Sequence, residues 1–210
     1  AVQASLIADM SSDILSMKRD YTRYALFYAV AQKNIGTAGV TLVVIRKDML
    51  PRVCRKLPPI LDYAAHVAAG SVLNTPPVFS IYTSLLVLRW IKQQGLEKIE
   101  RQNREKAGLL YAELERNTMF EPIVAPDSRS MMNVVFKTIS PDAEQAFLDL
   151  CDQNGVLNIK GHRKAGAFRA SLYNALPMEA VKHLVNLMQD FERRGEPMCS
   201  PSNMHSPARG

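Results

Sequence analysis

The chain has 210 residues, 47% hydrophobic and 22% charged, the make-up of a soluble globular protein with room for one large domain or two small ones. Its net charge of +6 suits anionic partners without choosing between nucleic acid, anionic lipid and phosphorylated metabolites. No Lys/Arg block is interleaved with aromatics, and the longest apolar runs fall far short of a membrane span, so neither a nucleic-acid nor a membrane partner is expected.

Ala4 to Ala8 is a short apolar run ending at Asp9. Tyr24 to Ala31 is a longer one that closes in Gln32-Lys33-Asn34, and Val40 to Ile45 is a third, rich in β-branched residues. Continuous runs of this kind predict strands buried on both faces, hence a parallel sheet. Gly36 and Gly39 mark the turn between the second and third runs. A helix is predicted from Pro77 to Gln94, with Leu85, Leu86, Leu88, Trp90 and Ile91 supplying its apolar surface and Gly95 ending it. Leu96 to Arg116 reads as a more charged amphipathic helix leading out of a first domain.

After that helix the pattern changes to a small α+β arrangement. Met132 to Phe136, Val156 to Ile159 and Phe168 to Leu172 read as strands, and Pro141 to Asn154 and Pro177 to Arg194 as helices. The tail from Gly195 onward is rich in Pro, Ser and Met without periodicity and is expected to be disordered. No internal repeat stands out. Cys54, Cys151 and Cys199 form no CxxC and no spacing with His that reads as zinc, so no metal site is expected. The odd, sparse cysteine count fits free thiols in a reducing compartment.

The chemistry concentrates at two strand ends. Ligands of open α/β sheets bind beyond the carboxyl ends of strands. Lys33 and Asp9 both follow apolar runs there. A lysine partly desolvated at such a place becomes a nucleophilic amine. If the two strands are near neighbours, an amine and a carboxylate face one crevice. That pair is what pyridoxal phosphate (PLP) requires: an amine to bind it covalently and a carboxylate to keep its pyridine nitrogen protonated. Taken alone, the lysine also fits a solvated surface residue and the aspartate a turn residue or helix cap.

The surrounding words are more specific. Ala31-Gln32-Lys33-Asn34, followed by Gly36 and Ala38-Gly39-Val40-Thr41, resembles the cofactor-lysine segment of phosphoserine aminotransferases, which are class V, fold type I PLP enzymes. Ala8-Asp9-Met10-Ser11-Ser12, Asn74-Thr75-Pro76-Pro77, Lys160-Gly161-His162-Arg163 and Phe168-Arg169-Ala170-Ser171-Leu172-Tyr173-Asn174-Ala175 resemble the same family, in its order and approximate spacing. The resemblance covers Leu6 to Arg194, and the Gly-His-Arg and Arg-Ala-Ser-x-Tyr-Asn-Ala words set it apart from cysteine desulfurases.

This resemblance implies an α/β fold in which residues 1–100 are the C-terminal part of a large PLP-binding parallel-sheet domain. Residues 101–194 would be the small C-terminal α+β domain, and residues 195–210 a disordered tail. It implies catalytic roles for Lys33, which would bind the cofactor and shuttle a proton, and for Asp9, which would pair with the pyridinium nitrogen. Gln32 would contact the cofactor phosphate, and Asn74 and Thr75 would reach the cofactor phosphate of a neighbouring subunit, making a homodimer. Arg169 would bind the substrate α-carboxylate in a bidentate fork. His162 and Arg163 would hold the substrate phosphate.

The implied reaction is reversible transamination of O-phospho-L-serine with 2-oxoglutarate to 3-phosphooxypyruvate and L-glutamate, in the cytoplasm, as a step of serine biosynthesis. In some members the same site serves the phosphohydroxythreonine step of pyridoxine synthesis. Two departures stand out. The family's glycines before the carboxylate-binding Arg are replaced here by Lys164-Ala165-Gly166-Ala167. The family's Gly-rich phosphate loop and ring-stacking aromatic precede the segment matching Asp9 and have no counterpart in this chain, which opens Ala1-Val2-Gln3 without an initiator Met. The 210 residues alone are therefore expected to lack useful activity, and the rival readings are a non-catalytic fragment, another class V PLP enzyme, or a basic nucleic-acid-binding module.

Overall fold

A computed structural model describes residues 4–161 and 168–195. It divides into two compact units. The first comprises Ala1–Lys106 with Met131–Asn133 and Leu172–Leu176; the second comprises Ala107–Ser130, Val134–Ser171 and Pro177–Gly210.

In the first unit, β1 (Ile7–Asp9), β2 (Leu26–Val30) and β3 (Thr41–Ile45) form a sheet in that order. β1 and β2 are parallel, with Asp9 opposite Tyr28. β2 and β3 are antiparallel, which corrects the expectation of a parallel set. The reason is length: a parallel return needs a crossover of about a dozen residues or more, and residues 31–40 are too short a link. The expected burial on both faces fails as well, because among the described residues β1 and β3 are the outer strands. Ile7, Leu42 and Val44 are exposed, whereas Phe27 and Ala29 of the central strand are buried. The core below the sheet gathers Met10, Ile14, Phe27, Ala29, Ile35, Ile91 and Ile99.

The turn between β2 and β3 is pinned to a helix. After the short α1 (Tyr63–Ala68), α2 (Val78–Gln94) runs against it and stops at Gly95, whose φ of 80° favours glycine. Ser80 Oγ donates to the Ala38 carbonyl (2.8 Å), and the hydroxyls of Thr37 and Thr83 lie 2.8 Å apart. Gly36 sits so close to α2 that an added Cβ would stand 2.3 Å from Ser84 Oγ and 3.0 Å from Ser84 Cα. Because a backbone atom is among those met, Gly36→Ala should force the turn off the helix and cost about 1–3 kcal/mol. Urea denaturation would measure this as a lower midpoint at unchanged slope. The apolar residues assigned to α2 divide: Ile91 is buried, while Leu85, Leu86, Leu88 and Trp90 are exposed.

α3 (Leu96–Arg116) matches its predicted span. In the second unit, β4 (Phe120–Pro122), β5 (Asn133–Thr138) and β6 (Phe168–Ser171) form a sheet in that order, with β4 and β5 antiparallel. α4 (Ala143–Gln153) and α5 (Met178–Arg194) complete it. Rings of Phe120, Phe136, Phe147, Phe168 and Phe191 pack with centroids 4.6–5.8 Å apart. The strand expected at Val156 to Ile159 does not form: Asn158 adopts φ 57°, which breaks an extended run, and only Lys160 bridges to Phe168. The three-residue β4, with a charge in the middle and Pro122 at its end, left no alternating pattern to find. The tail expected to be disordered lies outside the described residues from Glu196 onward.

Candidate functional site

The parallel pairing of β1 with β2 brings their carboxyl ends out along the same edge of the sheet. Asp9 is the last residue of β1. The Ser11 N–H donates to Asp9 Oδ1 at 2.8 Å, and Ser11 Oγ in turn accepts the Val30 N–H at the end of β2 (3.2 Å). Ser11 thereby ties one strand end to the other. Bonds from the Ser11 hydroxyl and then its N–H hold the Asp9 carboxyl below its usual range, with smaller help from the Tyr28 hydroxyl and the charge of Lys33. The same carboxylate, by its charge and its hydrogen bond, pushes the Tyr28 phenol up.

Lys33 stands in the tight turn that follows β2, closed by Ile35 N–H to the Ala31 carbonyl (3.1 Å) and Ala31 N–H to the Val40 carbonyl (2.9 Å). It follows β2 on the same sheet edge at which β1 ends in Asp9. The desolvation expected of Lys33 is not observed: its side chain is exposed, as are Gln32 and Asp9. An ionised carboxylate beside an accessible primary amine, on a rigid sheet edge, is a donor set that fits PLP, whose ring nitrogen seeks an anion and whose aldehyde seeks an amine.

The other predicted residues lie on other elements. Asn74 and Thr75 occupy the exposed turn before α2, where Asn74 Nδ2 donates to the Thr75 carbonyl (3.2 Å). Arg169 is exposed on β6 of the second unit, its N–H bonded to the Ile159 carbonyl (2.8 Å). His162 and Arg163 lie outside the described residues. Among the described residues no group of His, Cys, Asp and Glu could hold a metal ion, and no helix is long and apolar enough to cross a membrane.

Sequence reasoning missed the residues that fix the pair in place. Ser11 and Tyr28 flank Asp9, and Ser80, Thr83 and Ser84 grip the Lys33 turn. The signal available for the last three was a polar i, i+3, i+4 set on an otherwise apolar helix.

A model of the family described as "Aminotransferase class-V" matches residues 1–184. The chain belongs to this family.

Among curated members, a phosphoserine aminotransferase of Azobacteroides pseudotrichonymphae genomovar. CFP2 is 47% identical over 191 residues, covering 90% of this chain and 53% of the relative. That of Bacteroides thetaiotaomicron is 47% identical over 192 residues, covering 90% and 54%. The chain thus spans about half the length of the curated relatives it matches. Of solved structures, the phosphoserine aminotransferase from Bacillus circulans subsp. alkalophilus superposes with a TM-score of 0.88 at 42% identity, covering 92% of this class-V chain and 54% of that one. A PLP-bound phosphoserine aminotransferase from Trichomonas vaginalis gives a TM-score of 0.84 at 40% identity, covering 90% and 55%. The alanine–glyoxylate aminotransferase from Nostoc sp., at 16% identity and a TM-score of 0.71, shares the fold.

Proposed function

We propose that this chain carries the cofactor lysine and its partner carboxylate of a PLP-dependent phosphoserine aminotransferase. The observation that carries the reading is the placement of Asp9 and Lys33 at the carboxyl ends of two parallel, adjacent strands. The similarity to phosphoserine aminotransferases at 47% identity supports the substrate assignment. The reaction is reversible transamination of O-phospho-L-serine with 2-oxoglutarate to give 3-phosphooxypyruvate and L-glutamate, by a cytoplasmic homodimer. Residues 1–100 contribute to the large domain and residues 101–194 form the small one.

When bound, PLP supplies an aldehyde carbon and an electron-withdrawing ring. Lys33 Nζ would be the amine that holds that carbon and the base that would move a proton at the substrate carbon. Asp9 would keep a proton on the ring nitrogen, because an opposite charge at close range favours the protonated form. Gln32 would donate to the cofactor phosphate, and Asn74 and Thr75 would reach the phosphate held by a second subunit. Arg169 grips the α-carboxylate of either substrate, while His162 and Arg163 receive the phosphate of phosphoserine.

The test of the reading is chemical. After incubation with PLP and reduction with borohydride, peptide mapping should find the adduct on Lys33; an adduct on another lysine overturns it. The division of substrate recognition has its own test. In a full-length enzyme carrying this chain, Arg169→Ala should lower kcat/KM for phosphoserine and for glutamate alike, by about 100-fold, since both carry an α-carboxylate. Arg163→Ala should harm phosphoserine more than glutamate, because phosphate is bulkier and more highly charged. Equal losses for both substrates in Arg163→Ala would contradict the division.

A further inference from the structure

We propose that Asn34, Asn103 and Asn174 form a buried amide cage that holds the loop after β1 and so sets where Asp9 stands opposite Lys33. The inference rests on the PLP reading above, and it assigns positioning roles to residues that touch neither cofactor nor substrate.

The loop from Met10 to Ser16 needs holding. It turns tightly, with Asp13 and Ile14 N–H both reaching the Met10 carbonyl, and Leu15 adopts φ 55°, a region that side-chain-bearing residues seldom occupy. Four of its carbonyls are met by side-chain amides of distant residues. Asn34 Nδ2 donates to the carbonyls of Ser12 and Ile14, both at 3.2 Å. Asn174 Nδ2 donates to that of Leu15 (3.1 Å), and Asn103 Nδ2 to that of Ser16 (3.0 Å).

The amides also bind one another. The Asn174 N–H donates to Asn34 Oδ1 (3.1 Å), and Asn103 Nδ2 donates to Asn174 Oδ1 (2.8 Å). Each amide nitrogen faces acceptors, so the orientation of all three side chains is fixed by the pattern. The three residues are 5%, 0% and 9% exposed, so water offers the loop carbonyls no ready substitute.

Lys106, one turn beyond Asn103 on α3, secures the far side. Its Nζ donates to the carbonyls of Leu172, Tyr173 and Leu176, which bracket Asn174. Burial pushes this ammonium down to about 8, while the three carbonyls act to keep it charged.

Asn34 is the pivot because it follows Lys33 directly: Lys33 faces out and Asn34 faces in. One side chain therefore ties the Lys33 turn to the loop that begins at Asp9. Loss of its donors would free Ser12 and Ile14, and with them Ser11, whose N–H and hydroxyl hold the Asp9 carboxylate.

The test compares Asn34→Ala and Asn174→Ala with Asn117→Ala. Asn117 is a buried amide of the second unit that bonds Glu113 and the Met188 carbonyl, so it reports generic loss of a buried amide. Two readouts are taken: amide hydrogen exchange across Met10–Ser16 without cofactor, and the pH titration of the visible absorbance with PLP bound. A ring nitrogen that loses its proton no longer repels a proton on the Lys33 nitrogen. The titration midpoint should therefore rise, by about one unit, in the two cage variants, with borohydride still labelling Lys33. Loop exchange should quicken about 10-fold or more in both. Asn117→Ala should alter neither.

Faster exchange with an unmoved midpoint would reduce the cage to a structural brace and overturn the positioning role. Unchanged loop exchange would overturn the cage itself. Should Asn34→Ala fail to fold, Asn174→Ala, which leaves the bonds of Asn34 to Ser12 and Ile14 intact, decides the matter by the same two readouts. If the unaltered protein is not labelled at Lys33, the PLP reading falls and the positioning role with it, while loop exchange still reports whether the cage exists.

Discussion

In a full-length aminotransferase carrying this chain, Lys33→Ala should lower the rate of glutamate formation from phosphoserine and 2-oxoglutarate by about 10⁴-fold or more, and should remove the borohydride-fixed adduct altogether. The size follows from the two tasks the amine performs. On the proposed reading it would be the covalent attachment point of the cofactor and also the base that moves the proton, a task worth about 10²–10⁴-fold on its own. The structure makes the variant a clean one. Lys33 is exposed, and the turn around it is held by backbone bonds of Ala31 and Ile35 and by the contacts of Thr37 and Ala38 with α2. Removing an exposed side chain away from those contacts changes stability by about 0.5 kcal/mol or less. An unchanged melting curve with activity lost would locate the effect in the chemistry. Retained transamination would end the assignment of Lys33.

In the same full-length enzyme, Asp9→Asn should leave the cofactor attached to Lys33 and slow turnover by about 10²–10³-fold, the scale on which removal of a single preorganised electrostatic partner is felt. The asparagine oxygen can still accept the Ser11 N–H that now meets Asp9 Oδ1 at 2.8 Å, so the loop keeps its shape and only the charge is lost. The sign of the pH effect follows from the cause of the shift. Bonds from Ser11 lower the carboxyl pKa below 3.8, so the group is ionised at neutral pH. Its protonation, and the accompanying loss of activity, should then appear only at acid pH below the usual carboxylate range. Turnover of Asp9→Asn equal to that of the unaltered protein would rule the role out.

Much of this molecule is written locally. The apolar run ending at Val30, the long helices α2, α3 and α5, and their stops at Gly95 and Gly195 follow from periodicity and from glycines with positive φ, because those properties depend on a few neighbouring residues. The same holds for the words around Asp9 and Lys33, which the family match over residues 1–184 later supported. Their chemistry is carried by residue type and by position after a strand.

Where a feature depends on distant chain segments, composition and spacing are silent. The antiparallel course of β3 was misread because an apolar run carries no direction; the short link of residues 31–40 was the overlooked clue. The strand expected at Val156 to Ile159 was overruled by a single left-handed residue, Asn158. Asn34 and Asn174 are 140 positions apart, yet one donates its N–H to the other's side chain. Each would pass in sequence for an ordinary loop residue. The sequence by itself determined that a carboxylate and an amine each follow an apolar run. Only the tertiary structure decided that β1 and β2 lie side by side and parallel, so that Asp9 and Lys33 meet at one edge, because strand pairing and buried hydrogen bonds are settled by what the folded chain brings into contact.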